Sequence, residues 1–230
     1  PNAPPTTVID LTTDDHGSSS AQRLAAENWH DGRVVLYTDG ASRDNQFKAI
    51  RRAGVGVFWG KNHPLNVAEP LLGPAQTNNR AELTAVIRAL ELDHRSLDIR
   101  TDSQYVFNGC TVSLRSWKES GWRVRGRSIS NVDLWQHMCR VLSHRPPGTV
   151  VFRKVKAHAS WQDVSAGKAT AEDKKGNDAA DALAVSGAAM HATPACDRQA
   201  FQQRLLLTLR IQGMMVDILE ARSSRQSAVS

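Results

Sequence analysis

The stretch Arg33-Val34-Val35-Leu36-Tyr37-Thr38-Asp39-Gly40 decides the fold. Its run of β-formers reads as a buried strand. The run ends in an aspartate, whose charge a buried strand tolerates only with compensation. Gly40 then lets the backbone turn away. A second run, Leu97-Asp98-Ile99-Arg100-Thr101-Asp102-Ser103, closes on the same Thr-Asp pair. If the two strands are parallel neighbours, Asp39 and Asp102 lie side by side at their carboxyl ends, where open α/β sheets place their sites. Two carboxylates ~4 Å apart repel by ~4 kcal/mol at an effective dielectric of ~20, so either one keeps its proton or a cation sits between them. Each aspartate taken alone reads equally well as a turn-starter.

The chain has 230 residues and 40% hydrophobic content, enough for one core with appendages. Its net charge of +6 favours a polyanionic partner, although a solvated basic surface would give the same number. Three cysteines, Cys110, Cys139 and Cys196, without CxxC spacing argue against a disulfide framework or zinc site and for a reducing, intracellular compartment, nucleus or cytoplasm. No apolar run approaches a membrane span, and no secretory segment opens the sequence. The start at Pro1 without methionine suits a fragment of a longer reading frame.

Residues 1–30 are rich in Pro, Thr, Ser and Asp and read as a disordered N-terminal segment, with Gln22 to Trp29 as a short helix leading into the fold. Within it, residues 8–15 resemble a SUMO-interacting motif, an apolar strand with an acidic flank that adds to a sheet edge. Residues 31–191 read as the folded domain, 192–222 as an extra C-terminal helix that docks on a partner, and 223–230 as a flexible tail. Strands at 54–60 and 65–72 precede a helix whose Leu83, Val86, Ile87 and Leu90 form one apolar stripe. Asn79 and Glu82 carry capping-box spacing there. The segment from Arg115 to Arg127 interleaves Trp117 and Trp122 with cations including Arg123, Arg125 and Arg127, which suits a nucleic-acid backbone as well as an amphipathic scaffold. A helix opens at Asn131 and a strand spans 149–156. The polar stretch from His158 to Gly176 reads as a mobile flap, and a last core helix starts at Asn177. The order β-β-β-α-β-α-α-β-α predicts an α/β fold: a mixed five-stranded sheet, three antiparallel strands then parallel ones, with helices on both faces.

Six ordered motifs then resemble the type 1 ribonuclease H family: Tyr-Thr-Asp-Gly (37–40), Thr-Asn-Asn-Arg-Ala-Glu (77–82), Thr-Asp-Ser-Gln-Tyr-Val (101–106), Trp-Lys-Glu-Ser-Gly-Trp (117–122), Asn-Val-Asp-Leu-Trp (131–135) and Asn-x-x-Ala-Asp-x-Leu-Ala (177–184). The resemblance implies an RNase H-like fold and an endonuclease that hydrolyses the RNA strand of RNA–DNA hybrids. It implies two Mg2+ ions, with Mn2+ as substitute, held by Asp39, Glu82, Asp102 and Asp181, and His158 as an auxiliary catalytic residue. Such metals are hard ions that take carboxylate and water oxygens. Asn45, Asn78 and Asn79 match positions contacting the hybrid, including ribose 2′-hydroxyls. Thr77 and Asn131 match a pocket for a DNA-strand phosphate, Tyr105 a channel aromatic, and 117–127 a basic protrusion.

Three departures stand out. Ala75 replaces a pocket arginine, Ser113 replaces a channel tryptophan, and the interval from His158 to Asp181 is roughly twice the family spacing. Two rival readings stay open: the nuclease domain of a retroelement reverse-transcriptase polyprotein, and a non-catalytic hybrid-binding module. A DNA-cutting nuclease of the same fold is disfavoured by the asparagines placed for ribose hydroxyls.

Overall fold

The computed structural model describes residues 27–43, 50–191 and 195–227. Its first strand, β1 (Asn28–His30), pairs antiparallel with the start of β2 (Arg33–Arg43), and β2 pairs antiparallel with β3 (Arg52–Phe58), which pairs with β4 (Val67–Pro70). Helix α1 (Asn78–Leu92) crosses to β5 (Leu97–Thr101), which lies parallel to β2 with Thr38 opposite Thr101. The two Thr-Asp pairs are therefore neighbours at one end of the sheet, as the sequence implies. Helices α2 (Gln104–Asn108) and α3 (Leu114–Glu119) flank a π turn at Gly109–Ser113. A small hairpin, β6 (Arg123–Val124) and β7 (Arg127–Ser128), leads to α4 (Val132–Ser143) and then β8 (Val150–Lys154), parallel to β5. Short α5 (Trp161–Ser165), α6 (Ala171–Ala189) and the long α7 (Ala195–Ser227) complete the chain. The main sheet order is β4-β3-β2-β5-β8 with β1 beside β2, the expected mixed sheet plus one short strand.

Alternation along β2 sorts the two faces. Val34 and Leu36 join Val55, Val57, Leu83, Ile99, Trp135 and Met138 in the main core under α1 and α4. Val35 and Tyr37 face the other way, against Ala180 of α6. Helix α6 lies unusually close to the sheet. A Cβ on Gly56 would stand 2.2 Å from the Ala180 carbonyl oxygen, and one on Gly54 would stand 2.0 Å from the Ala188 nitrogen. Gly56 is the cross-strand partner of Asp39. The missing side chain thus lets α6 settle directly beside that aspartate.

The structure corrects four sequence expectations. Asn28–His30 is a strand rather than the end of a helix, because three backbone pairs to β2 outweigh a weak helical pattern. Residues 22–26, residues 8–15 and Asn45 lie outside the described residues. Thr77, not Asn79, caps α1: its hydroxyl accepts the Arg80 N–H at 3.3 Å, so Glu82 is in the second turn and forms no capping box. The expected flap from His158 to Gly176 contains α5 and the first turns of α6. Ser160 and Asp163 form a reciprocal capping box, and Thr170 accepts the Asp173 N–H at 2.9 Å. The last helix runs from Ala195 to Ser227, past the expected stop at 222.

Glu27, immediately before β1, is held by buried charge. Glu27 lies 2.9 Å from His63 Nε2 and accepts from Arg95 at 2.8 and 3.0 Å, while Arg95 also binds Asp93. The glycine contact gives a direct check on the packing of α6. Gly56→Ala is expected to cost about 2–3 kcal/mol by overpacking, read as a lower urea midpoint at unchanged m-value.

Candidate active site

Four acids converge at the carboxyl end of β2 and β5, each carried by a different element. Asp39 stands one residue past the last β2–β5 pair, in a strand that runs on beside β3 to Arg43 rather than turning away at Gly40, and Asp102 follows the last residue of β5. Glu82 comes from α1 on one face and Asp181 from α6 on the other. A second close approach admits Glu82. A Cβ on Gly40 would lie 2.3 Å from the Glu82 backbone nitrogen, so only glycine lets α1 press on the strand there.

Asp39 and Glu82 are 8% and 7% exposed. Burial, then the nearby Asp102 and Asp181 charges, push the Asp39 carboxyl up to about 8 against the pull of the Gly40 N–H, which donates to Oδ1 at 2.7 Å. Asp181 is also within hydrogen-bonding reach of Asp39. Burial, then Asp39 and Asp102, push Glu82 up to about 8, while Lys154 at the end of β8 works weakly against the rise. Neutral amides steady the set: Asn78 Nδ2 donates to Glu82 Oε1 at 2.6 Å, and Asn177 Nδ2 donates to Asp102 Oδ2 at 3.0 Å. Glu82 Oε2 is buried without a hydrogen-bond partner among the described residues. Among those residues no three His, Cys, Asp or Glu side chains are already gathered around one coordination point. The acids form a repelling, partly neutralised set open to outside charge.

Asn177 and Lys154 were not singled out from sequence. Asn177 stands four residues before Asp181 on the same helix, a spacing that places both on one face and could have found it. Lys154 stands in register with Thr101 and Thr38 across three strands, which only the pairing reveals.

The other expected residues fall into two groups. Thr77, Arg80 and Asn131 meet beside α1: Arg80 Nη1 donates to Asn131 Oδ1 at 3.4 Å and to Asp133 Oδ1 at 2.9 Å. Asn131 adopts left-handed backbone, φ +56°. Asn79 is exposed beside half-buried Asn78. Tyr105 is tied inward, its hydroxyl accepting from Trp135 Nε1 at 2.8 Å and Asn131 Nδ2 at 3.2 Å and donating to the Ser130 carbonyl at 3.1 Å. Trp117 and Trp122 pack against the core, the former edge-on to Trp135 with centroids 5.2 Å apart. They carry the hairpin whose Arg123, Arg125 and Arg127 are exposed. His158 is exposed in the turn after β8, at φ +46°. Asp178 is also exposed, paired with Lys174 at 2.6 Å rather than with the acids.

The likeness to known proteins is extensive. The family described as RNase H matches residues 31–189. A ribonuclease H of Schizosaccharomyces pombe is 38% identical over 157 residues, which cover 68% of this chain and 53% of that protein. One from Rickettsia typhi is 36% identical over 163 residues, covering 68% of this chain and 91% of its own. The solution structure of the PFV RNase H domain superposes with a TM-score of 0.53 at 25% identity, over 67% of this chain and 93% of that one. The chain thus spans about half the length of the fission-yeast relative and most of the bacterial one. The matched residues contain strands β2 to β8 and all four converging acids, and with them the chain belongs to the ribonuclease H family.

Proposed function

We propose that this chain is an endoribonuclease that hydrolyses the RNA strand of RNA–DNA hybrids, with Asp39, Glu82, Asp102 and Asp181 holding two Mg2+ ions. One observation carries the reading: two buried carboxyls pushed up to about 8 beside a buried Glu82 oxygen that lacks a hydrogen-bond partner. That arrangement is unfavourable alone and suits hard divalent cations, whose preferred donors are carboxylate oxygens. Such a pair supplies activation of an attacking water and stabilisation of charge at the leaving oxygen, and Mn2+ substitutes for it.

The chain's own groups hold the parts in place. Asn78 and Asn177 orient two of the carboxylates by donating to them. Asn78 and Asn79 stand at the start of α1, where their amides meet ribose 2′-hydroxyls of the RNA strand. Thr77 and Asn131 grip a phosphate of the DNA strand; with Ala75 in place of a cation, the cation touching both is Arg80, which is itself paired with Asp133. Arg123, Arg125 and Arg127 reach further phosphates from the hairpin. His158, exposed in the turn after β8, assists proton movement. The 36–38% identity to cellular ribonucleases H, against 25% to the viral domain, favours a cellular enzyme over a retroelement domain.

Asp102→Asn keeps shape and removes a charge. It is expected to lower hydrolysis of a labelled hybrid by at least about a thousandfold while leaving hybrid affinity in calcium buffer within about threefold. Retained activity removes Asp102 from the ligand set.

Two acids near 8 in the folded chain have ordinary values of 3.8 and 4.5 when unfolded, so the folded state holds protons that the unfolded state releases. In chelator, their contribution is most favourable below about pH 4 and is lost as pH rises to about 8. Mg2+ is therefore expected to raise the thermal midpoint more at pH 8 than at pH 5.5. Equal gains at the two values contradict the assignment.

Replacing Arg123, Arg125 and Arg127 together by Ala is expected to weaken hybrid binding and reduce the slope of log K against log salt by about 2–3. Fluorescence anisotropy across a salt series reads both. An unchanged slope places the phosphate contacts elsewhere.

A further inference from the structure

Helix α7 (Ala195–Ser227) runs 33 residues, about 50 Å, and lies outside the matched family region. Nine large apolar side chains between Leu206 and Leu219 are 48–66% exposed. An isolated helix in water has no reason to carry such a load. Among the described residues no helix is long and apolar enough to cross a membrane. The apolar load calls for a surface to cover it.

The spacing of the stripe says which one. Four of the nine, Leu207, Ile211, Met214 and Ile218, follow one another with Ala221 at intervals of four, three, four and three, the repeat that winds one helix around another with a left-handed supercoil. In that frame Ile211 and Ile218 take the a positions and Leu207 and Met214 the d positions. Isoleucine at a with an unbranched-β residue at d favours two parallel strands over three or four. The flanks agree. Asp217 falls at g and Arg222 at the e position five residues on, which is the g-to-e′ pairing of a parallel, in-register dimer. Two-fold symmetry makes that match twice. An antiparallel pair sets g against g and loses it.

We propose that α7 is a self-association element: it pairs with α7 of a second copy of this chain as a parallel two-stranded coiled coil, sealed by Leu207, Ile211, Met214 and Ile218 and registered by Asp217 against Arg222 of the second copy. The dimer presents two hybrid-cutting domains from one stalk. The pairing does not rest on the nuclease reading, and hydrolysis is not its readout.

The test is sedimentation equilibrium of the full chain at micromolar concentration. Wild type is expected at twice the 25.2 kDa chain mass. Ile211→Asp with Ile218→Asp is expected at the single-chain mass. Since that double change also lowers helicity, charge reversal provides an independent arm. Asp217→Arg alone and Arg222→Asp alone each set like charges across the dimer twice and are expected to weaken association by roughly tenfold. Mixing the two variants restores both attractive pairs, so a heterodimer of wild-type affinity forms. A monomeric wild type overturns the proposal, whether it stays free in solution or binds phosphatidylserine vesicles. So does a trimer or tetramer, and so do charge reversals that fail to complement each other.

Discussion

Like charge crowded into a small volume is the constraint on which this molecule turns. Asp39 and Glu82 are buried together, and burial raises both, with Asp102 adding to each and Asp181 adding to Asp39. The fold makes the crowding sterically allowed rather than electrostatically comfortable. Gly40 admits α1 from one face and Gly56 admits α6 from the other. The partners supplied to the acids are mostly neutral: the Gly40 N–H, Asn78 and Asn177. Another aspartate of β5 shows what the chain does when it means to neutralise a buried charge. Asp98 is fully buried, four residues before Asp102, and receives Arg153 Nε at 2.9 Å and Arg100 Nη2 at 3.5 Å. One strand therefore carries both solutions. Oδ2 of Asp98 is matched by two arginines while its Oδ1 lacks a hydrogen-bond partner among the described residues, whereas the clustered acids meet neutral donors instead of arginine.

The same contrast explains how much of the site was legible in the sequence. The Thr-Asp repeats announced themselves because an aspartate ending an apolar run is locally inconsistent, and local inconsistency marks function. The parallel pairing of β2 and β5 followed from the alternation of elements after the third strand. Glu82 was visible, but its capping-box alternative was open. The ambiguity dissolved only when Thr77 proved to be the cap, an assignment that depends on φ and ψ one residue either side of the helix start. Lys154 lay beyond reach because strand register is a property of pairs, not of a single segment.

The face that carries Tyr105, Trp117 and the β6–β7 hairpin divides into a rigid base and a charged rim. Tyr105, Trp117 and Trp135 interlock edge to face, with centroids 5.6 and 5.2 Å from Trp135. The Tyr105 hydroxyl ties this cluster to Asn131 and Ser130. A Cβ on Gly109 would stand 2.0 Å from the Trp135 ring, so the π turn begins where the helix must pass the indole. The arginines of the β6–β7 hairpin then project from a packed apolar base that sets their positions.

The stretch that read as a polar loop turns out to hold α6 in place. Asp173, Asn177 and Asp181 recur every four residues along α6 and so share a face. Each grips the sheet in turn. Asp173 accepts from Arg100 Nη1 at 2.6 Å and from the Tyr37 hydroxyl at 3.2 Å, Asn177 holds Asp102, and Asp181 meets Asp39. Between the first two, Gly176 passes within contact of the Tyr37 ring, where a Cβ would stand 2.1 Å from it. A helix starting at Asn177 would place Asp181 in a fraying second turn with no anchor ahead of it. Starting at Ala171, capped by Thr170 and clamped by Arg100, the same aspartate sits two turns further in, where its position is fixed by the sheet it must meet. The extra polar residues therefore lengthen the lever that aims the fourth acid.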